Sequence, residues 1–195
     1  SLGFELFIKL AEQTHQEEFE WTFKRKNGSS FPSLLAVTAL RDENNKMTGY
    51  TCIVQDMTVR REAEALRNRL LKIIDHSPDL IAYGNIQEGI VFINRGGERM
   101  LSVAEGALLG RTRSHFMPQW VQAKIATEAY PQIEIQGFWQ GETAVIHADG
   151  YEIPVSQALI SLPGEPGEPN YVAVIIRDIT EFKKAEARLA EQARD

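Results

Sequence analysis

Hydrophobic and polar residues along this chain change their spacing in blocks, and each block marks out an element. Phe4, Phe7, Ile8 and Ala11 recur at helical intervals, so residues 3–14 are expected to form a short amphipathic helix. Phe19, Trp21 and Phe23 then alternate with polar residues, the period of a half-buried strand. Asn27-Gly28 is a dipeptide favoured in two-residue hairpin turns, and residues 31–40 continue extended. A polar turn at 42–45 leads to a third apolar run at 50–54. The expectation is a three-stranded antiparallel unit with a helix before it.

The period then changes again. After Thr58, an expected N-cap, come Val59, Ala63, Leu66, Leu70 and Ile73, spaced four, three, four and three as in a heptad seam. Pro78 disfavours helical geometry at Ser77, so the helix should stop near His76. At about 1.5 Å per residue it reaches about 25 Å, enough to separate two small domains. Off the seam, Glu64 and Arg67 sit at a favourable i,i+3 spacing. An amphipathic helix packed on its own domain would show the same pattern.

Beyond it, residues 80–83 and 89–93 predict two short strands around a turn at 85–88, and Asn94 can cap the helical stretch after it. Helical stretches over 97–109 are broken by Gly106 and Gly110, and a helix over 120–129 is closed by Pro131. Strands are expected at 138–147, 151–161 and 171–177, joined by an Asp149-Gly150 turn and a Gly- and Pro-rich loop at 163–169. Thr180 would cap a final helix on which Phe182, Ala185 and Leu189 begin a seam.

These blocks form a repeat. Asn27-Gly28 through Pro32, Asp56-Met57-Thr58 and Ala63-Glu64-Ala65 recur as Asp149-Gly150 through Pro154, Asp178-Ile179-Thr180 and Ala185-Glu186-Ala187. The offset is 122 positions throughout (178 less 56, 150 less 28, 186 less 64). A first copy as long as the second would begin before Ser1, so the chain is expected to open in mid-domain, as a piece of a larger modular protein.

Composition narrows the function. With 43% hydrophobic residues in 195, the chain can bury a core, and no apolar run approaches the roughly 18 to 20 residues that span a bilayer. A net charge of -6 with interspersed signs lacks the clustered basic stripe of a nucleic-acid surface. Cys52 is the sole cysteine, consistent with a reducing, cytoplasmic setting. The histidines at 15, 76, 115 and 147 have no metal-ligand spacing. No Ser/His/Asp set stands out, and Arg95-Gly96-Gly97-Glu98 lacks the strand-loop-helix phosphate signature, so Gly96-Gly97 reads as a turn. Catalytic residues are therefore not expected in this stretch.

The order of elements resembles the PAS (Per-Arnt-Sim) sensory module. The matching residues are Ser77-Pro78-Asp79, Gly89 through Asn94, Leu109-Gly110-Arg111-Thr112, Gly137-Phe138-Trp139-Gln140-Gly141-Glu142, Asp149-Gly150 to Pro154, and Arg177-Asp178-Ile179-Thr180. The resemblance implies an α+β fold, a five-stranded antiparallel sheet in the order 2-1-5-4-3 with short helices on one face over a small cavity. It implies the C-terminal half of a first PAS domain over 1–58, a helical linker over 59–76, a complete second PAS domain over 77–180, and an output helix from 181 to 195. In that order the run at 50–54 would have a bare edge, to be covered by upstream residues or by a neighbouring chain.

The family relation further implies a signal-input module of a larger protein. Asp56 and Thr58, and Asp178 and Thr180, would be the junctions that pass a change from sheet to helix. The implied partners are a second copy in a homodimer, a covalently linked effector such as a histidine kinase or cyclic-dinucleotide enzyme, and a small-molecule ligand. Neither nucleic acid nor membrane contact is expected. A ligandless dimerisation scaffold is the alternative. Heme would need His115 or His147 as an unusual ligand, and the cysteinyl-flavin chemistry needs a mid-domain cysteine that the second copy lacks, which leaves non-covalent flavin or a small metabolite. Tyr83, Phe92, Trp120 and Trp139 are the candidate ligand-binding residues.

Overall fold

A computed structural model describes residues 18–192. The helix expected over 3–14 lies outside the described residues. The chain divides into two compact units between Arg69 and Leu70.

In the first unit β1 (Glu18–Lys24), β2 (Ser30–Arg41) and β3 (Met47–Asp56) form an antiparallel sheet in that order. The β1–β2 connection is longer than the expected two-residue turn. Gly28 N–H donates to Arg25 O and Arg25 N–H to Ser29 O, with Gly28 at φ +87°. Asn27 has no positive φ, so the link is an ordinary turn closed by a left-handed glycine rather than a type I′ turn. Leu35 and Val37 are buried, with Trp21, Phe23 and Tyr50 packed against them. Cys52 is exposed. It lies on β3, which among the described residues pairs only with β2, so nothing packs on its far side.

The helix α1 (Thr58–His76) ends as expected, with the His76 ring on Lys72 O at 2.7 Å. No residue of it is buried, and Val59, Leu66, Leu70 and Ile73 are exposed. Glu64 pairs with Arg60 one turn back at 3.0 Å rather than with Arg67. The i,i+4 partner meets the carboxylate over the same turn of helix.

The second unit contains β4 (Leu80–Asn85), β5 (Gly89–Ile93), α2 (Arg95–Leu101), a short 3-10 turn (Arg113–His115), α3 (Gln119–Lys124), a wide π turn (Ile125–Ala129) and α4 (Tyr130–Gln136). The strands β6 (Phe138–Ile146), β7 (Glu152–Leu162) and β8 (Tyr171–Asp178) and the helix α5 (Thr180–Gln192) complete it. The sheet order is β5-β4-β8-β7-β6, all antiparallel. Counted within the unit this is the expected 2-1-5-4-3. Leu80, Val145, Val155 and Ile176 on one sheet face pack with Leu101, Val121, Ile125 and Ile133 of the helical segments.

Two local expectations are corrected. Pro131 does not close the helix, which continues through α4 to Gly137. Proline lacks an N–H and crowds the carbonyl one turn back, and the π turn just before it widens that spacing, so Pro131 begins a new helical stretch. Gly96-Gly97 is part of α2, not a turn. A Cβ on Gly96 would sit 2.2 Å from Ser77 O, and one on Gly97 2.5 Å from Leu80 Cγ, so α2 lies too close to the start of the domain for side chains there.

The repeat holds at the level of register. Leu35 opposes Phe19 and Val54 in the first unit, as Gln157 opposes Gly141 and Ile176 in the second, each at the 122-residue offset. Gly150 N–H donates to His147 O and His147 N–H to Tyr151 O, the same turn as at Gly28.

Candidate functional site: a cavity and two strand-helix junctions

The core face of the second sheet is not fully closed by its helices. A cavity of about 1200 Å³, partly open to solvent, lies between β4, β5, β7 and β8 and the segment from Arg111 to Tyr130. Ala82, Ile90, Phe116, Met117, Ile125, Leu159, Val172 and Val174 give it apolar walls. Cavities of this kind typically hold ligands with an apolar body and a few fixed polar contacts.

Its most buried polar group is Gln157. Along β7 the inward positions read Ile153, Val155, Gln157 and Leu159, so Gln157 interrupts an apolar row. It is 0% exposed. Thr143 Oγ1 donates to its Oε1 at 2.8 Å, and Nε2 has no partner among the described residues. At the rim, the Arg113 guanidinium lies 4.8 Å from the Tyr130 ring centroid and donates to its hydroxyl. Glu88, also at the rim, accepts from the Tyr171 hydroxyl at 3.2 Å. Partial loss of water, then the Glu88 carboxylate, raises the Tyr171 phenol above its ordinary value.

The four aromatic residues expected around a ligand are not gathered there. Only Tyr83 borders the cavity. Its ring stacks on Phe92 at 5.9 Å and meets Tyr171 edge-on at 5.7 Å. Phe92 does not reach the cavity: the β4–β5 pairing shifts register between Tyr83 and Gly84, and this bulge breaks the alternation so that Ile90 and Ile93 both face the core. Trp139 is 4% exposed and belongs to the core, its ring lying over the side-chain-free Gly141. Trp120 is 50% exposed and its indole N–H points to Glu152 at 3.3 Å. Neither His115, exposed on the 3-10 turn, nor His147, in the β6–β7 turn and stacked on Tyr151, lines the cavity. Gln157 was missed; the signal for it was a polar residue at an inward strand position.

The junctions sit where each sheet feeds its following helix. Asp56 Oδ1 accepts from Thr58 N–H at 2.9 Å and from its hydroxyl at 2.5 Å, and Oδ2 accepts from Arg25 at 2.7 Å. Those Thr58 bonds, with the Arg25 charge, hold the Asp56 carboxyl below its ordinary value of 3.8. The cap is therefore the aspartate, not the threonine hydroxyl. Asp178 caps Thr180 N–H in the same way at 2.7 Å. Met57 N–H donates to Pro32 O and Ile179 N–H to Pro154 O, again 122 residues apart (179 less 57, 154 less 32). Arg61 pairs with Glu20 at 2.8 Å and Lys183 with Glu142 at 2.7 Å, so each helix is tied to the first strand of its hairpin at matching positions.

One residue connects the start of the second unit. Asn94 is fully buried; its Oδ1 accepts from Ile81 and Gly97 N–H, and its Nδ2 donates to Ile74 O and Asp79 O. The end of α1 is thereby fixed to β4 and α2. Nearby, Arg177 makes a two-nitrogen contact to Asp79, with Nη2 at 2.8 Å, joining the last strand to the first. This contact raises the Arg177 pKa above its ordinary value.

A five-stranded sheet of this order, with helices over a cavity on one face and a capped helix after the last strand, defines a sensory α+β domain. The PAS fold model matches residues 74–184 and a PAS domain model residues 2–59, so the chain belongs to the PAS family. PAS domains are sensory modules rather than catalysts. A PAS domain from Colwellia psychrerythraea is 26% identical, with TM-score 0.54, covering 60% of this chain and 98% of that one. A PAS domain of an HTR-like protein from Haloarcula marismortui is 23% identical, with TM-score 0.51, over 62% and 98% of the two chains. A PAS domain from a two-component sensor histidine kinase is 15% identical, with TM-score 0.50, over 60% and 98%. No curated protein matches the chain. Among the described residues no helix is long and apolar enough to cross a membrane.

Proposed function

We propose that this chain is the signal-input region of a larger cytoplasmic signalling protein, in which a ligand in the second unit's cavity alters the helix after the last strand. The observation that carries this reading is continuity. Val172 and Val174 of β8 wall the cavity, and the same strand ends at Asp178, which caps α5. A ligand favouring one sheet-helix arrangement by about 1 to 3 kcal/mol would shift the populations of the output helix. We take the effector to be a histidine kinase, a setting in which one of the fold's relatives occurs. Asp56 and Thr58 serve the corresponding junction of the first unit, and the exposed seam of α1 pairs with a second copy in a dimer.

The test is Asp178→Ala in the effector-linked protein. Output should no longer respond to stimulus while the thermal transition of the domain stays in place; an unchanged response would remove the junction from the mechanism.

A ligandless scaffold is the second reading. It is favoured by Phe138, Ile175 and Leu162, which lie exposed on the second sheet. A scaffold has no use for an open cavity, whereas a sensor needs one.

A further inference from the structure

We propose that the cavity receives a small molecule with an apolar body and a carbonyl or carboxylate oxygen, and that the side-chain amide of Gln157 holds that oxygen. The inference rests on the sensor reading and gives its ligand a chemical class.

An amide buried without a partner is costly, and native folds rarely keep one without a use. Thr143 occupies Oε1, which fixes the amide's orientation and leaves Nε2 as a donor on the cavity wall. The first unit shows that the fold does not need this polar pair. At the 122-residue offset (157 less 35, 143 less 21), Leu35 stands where Gln157 does and Trp21 where Thr143 does. Leu35 is fully buried in the same register with its neighbouring strands. The second unit therefore carries a hydrogen-bonding pair at a place that the first fills with apolar side chains.

The rest of the lining sets the remainder of the molecule. The apolar walls favour a hydrocarbon or aromatic body. Arg111 and Arg113 line the cavity together with Glu88 and Glu168, and Arg113 is in no ion pair among the described residues, so the wall offers a cation to a carboxylate ligand while its overall charge does not select for one over a neutral carbonyl.

The experiment uses the whole chain and three probes of similar size: 4-phenyl-2-butanone, 3-phenylpropanoate and butylbenzene. Binding is followed by calorimetry and by the side-chain amide signals of Gln157 in NMR spectra. The two oxygen-bearing probes should bind about tenfold more tightly than the hydrocarbon, the worth of one hydrogen bond, and should move the Gln157 amide protons downfield. In Gln157→Leu and Gln157→Met the preference should vanish while butylbenzene still binds. If either variant fails to fold, the other and the wild-type amide shift decide. Equal binding of the three, or a preference that survives substitution, overturns the proposal and leaves the sensor reading standing. Entry of dissolved xenon with none of the three bound has the same meaning. Exclusion of xenon as well overturns both.

Discussion

At the scale of single residues, Asn94 shows how much one buried amide can hold. All its hydrogen-bonding capacity is used, on Ile74, Asp79, Ile81 and Gly97. Asn94→Ala should leave several buried backbone groups unpaired and cost about 3 kcal/mol, read as a lower urea midpoint for loss of amide protection in β4. Asp56 is a second such residue. Its folded-state pKa is depressed, so its contribution to α1 is present above the ordinary value of 3.8 and is lost as pH falls through the lower folded value. The Thr58 amide signal should titrate with a midpoint below 3.8, and a midpoint at or above that value would show that the cap does not form in solution. The role of Asn94 as a helix cap was legible in the sequence. Its grip on Ile74, twenty residues earlier, was not, because that contact depends on where the chain returns.

At the scale of elements, strand alternation placed the strands to within a few residues, but neighbours decided the helices: the helical stretch expected over 97–109 ends at Leu101, and the one expected over 120–129 runs on to Gln136. Pro131 reads as a stop, yet a π turn lets the helix pass it. Asn27-Gly28 reads as a tight hairpin, yet only Gly28 adopts the left-handed conformation. The seam of α1 was legible from its spacing, and its exposure along the helix is a tertiary fact. If that seam pairs two copies, Leu66→Lys with Leu70→Lys should shift the chain from dimer to monomer in sedimentation velocity without loss of helical circular dichroism. A species unchanged by both substitutions would place the dimer contact elsewhere.

At the scale of the whole molecule, the chain itself determined the repeat, its offset, the strand order implied by family likeness, and the two Asp-x-Thr junctions. These features are written in local chemistry: alternation, turn glycines and capping groups recur at fixed separations and need no knowledge of distant contacts. The matched ion pairs Arg61–Glu20 and Lys183–Glu142 also lay within the repeat, as like residues at like positions, though nothing short of the fold showed that they meet. Only the tertiary structure decided which inward residues line the cavity. Trp139 is inward and becomes core because Gly141 leaves room for its ring; Gln157 is inward and is left with an unpaired donor. A side chain's period fixes the face it occupies, while whether that face is filled or left open depends on packing between segments far apart in sequence.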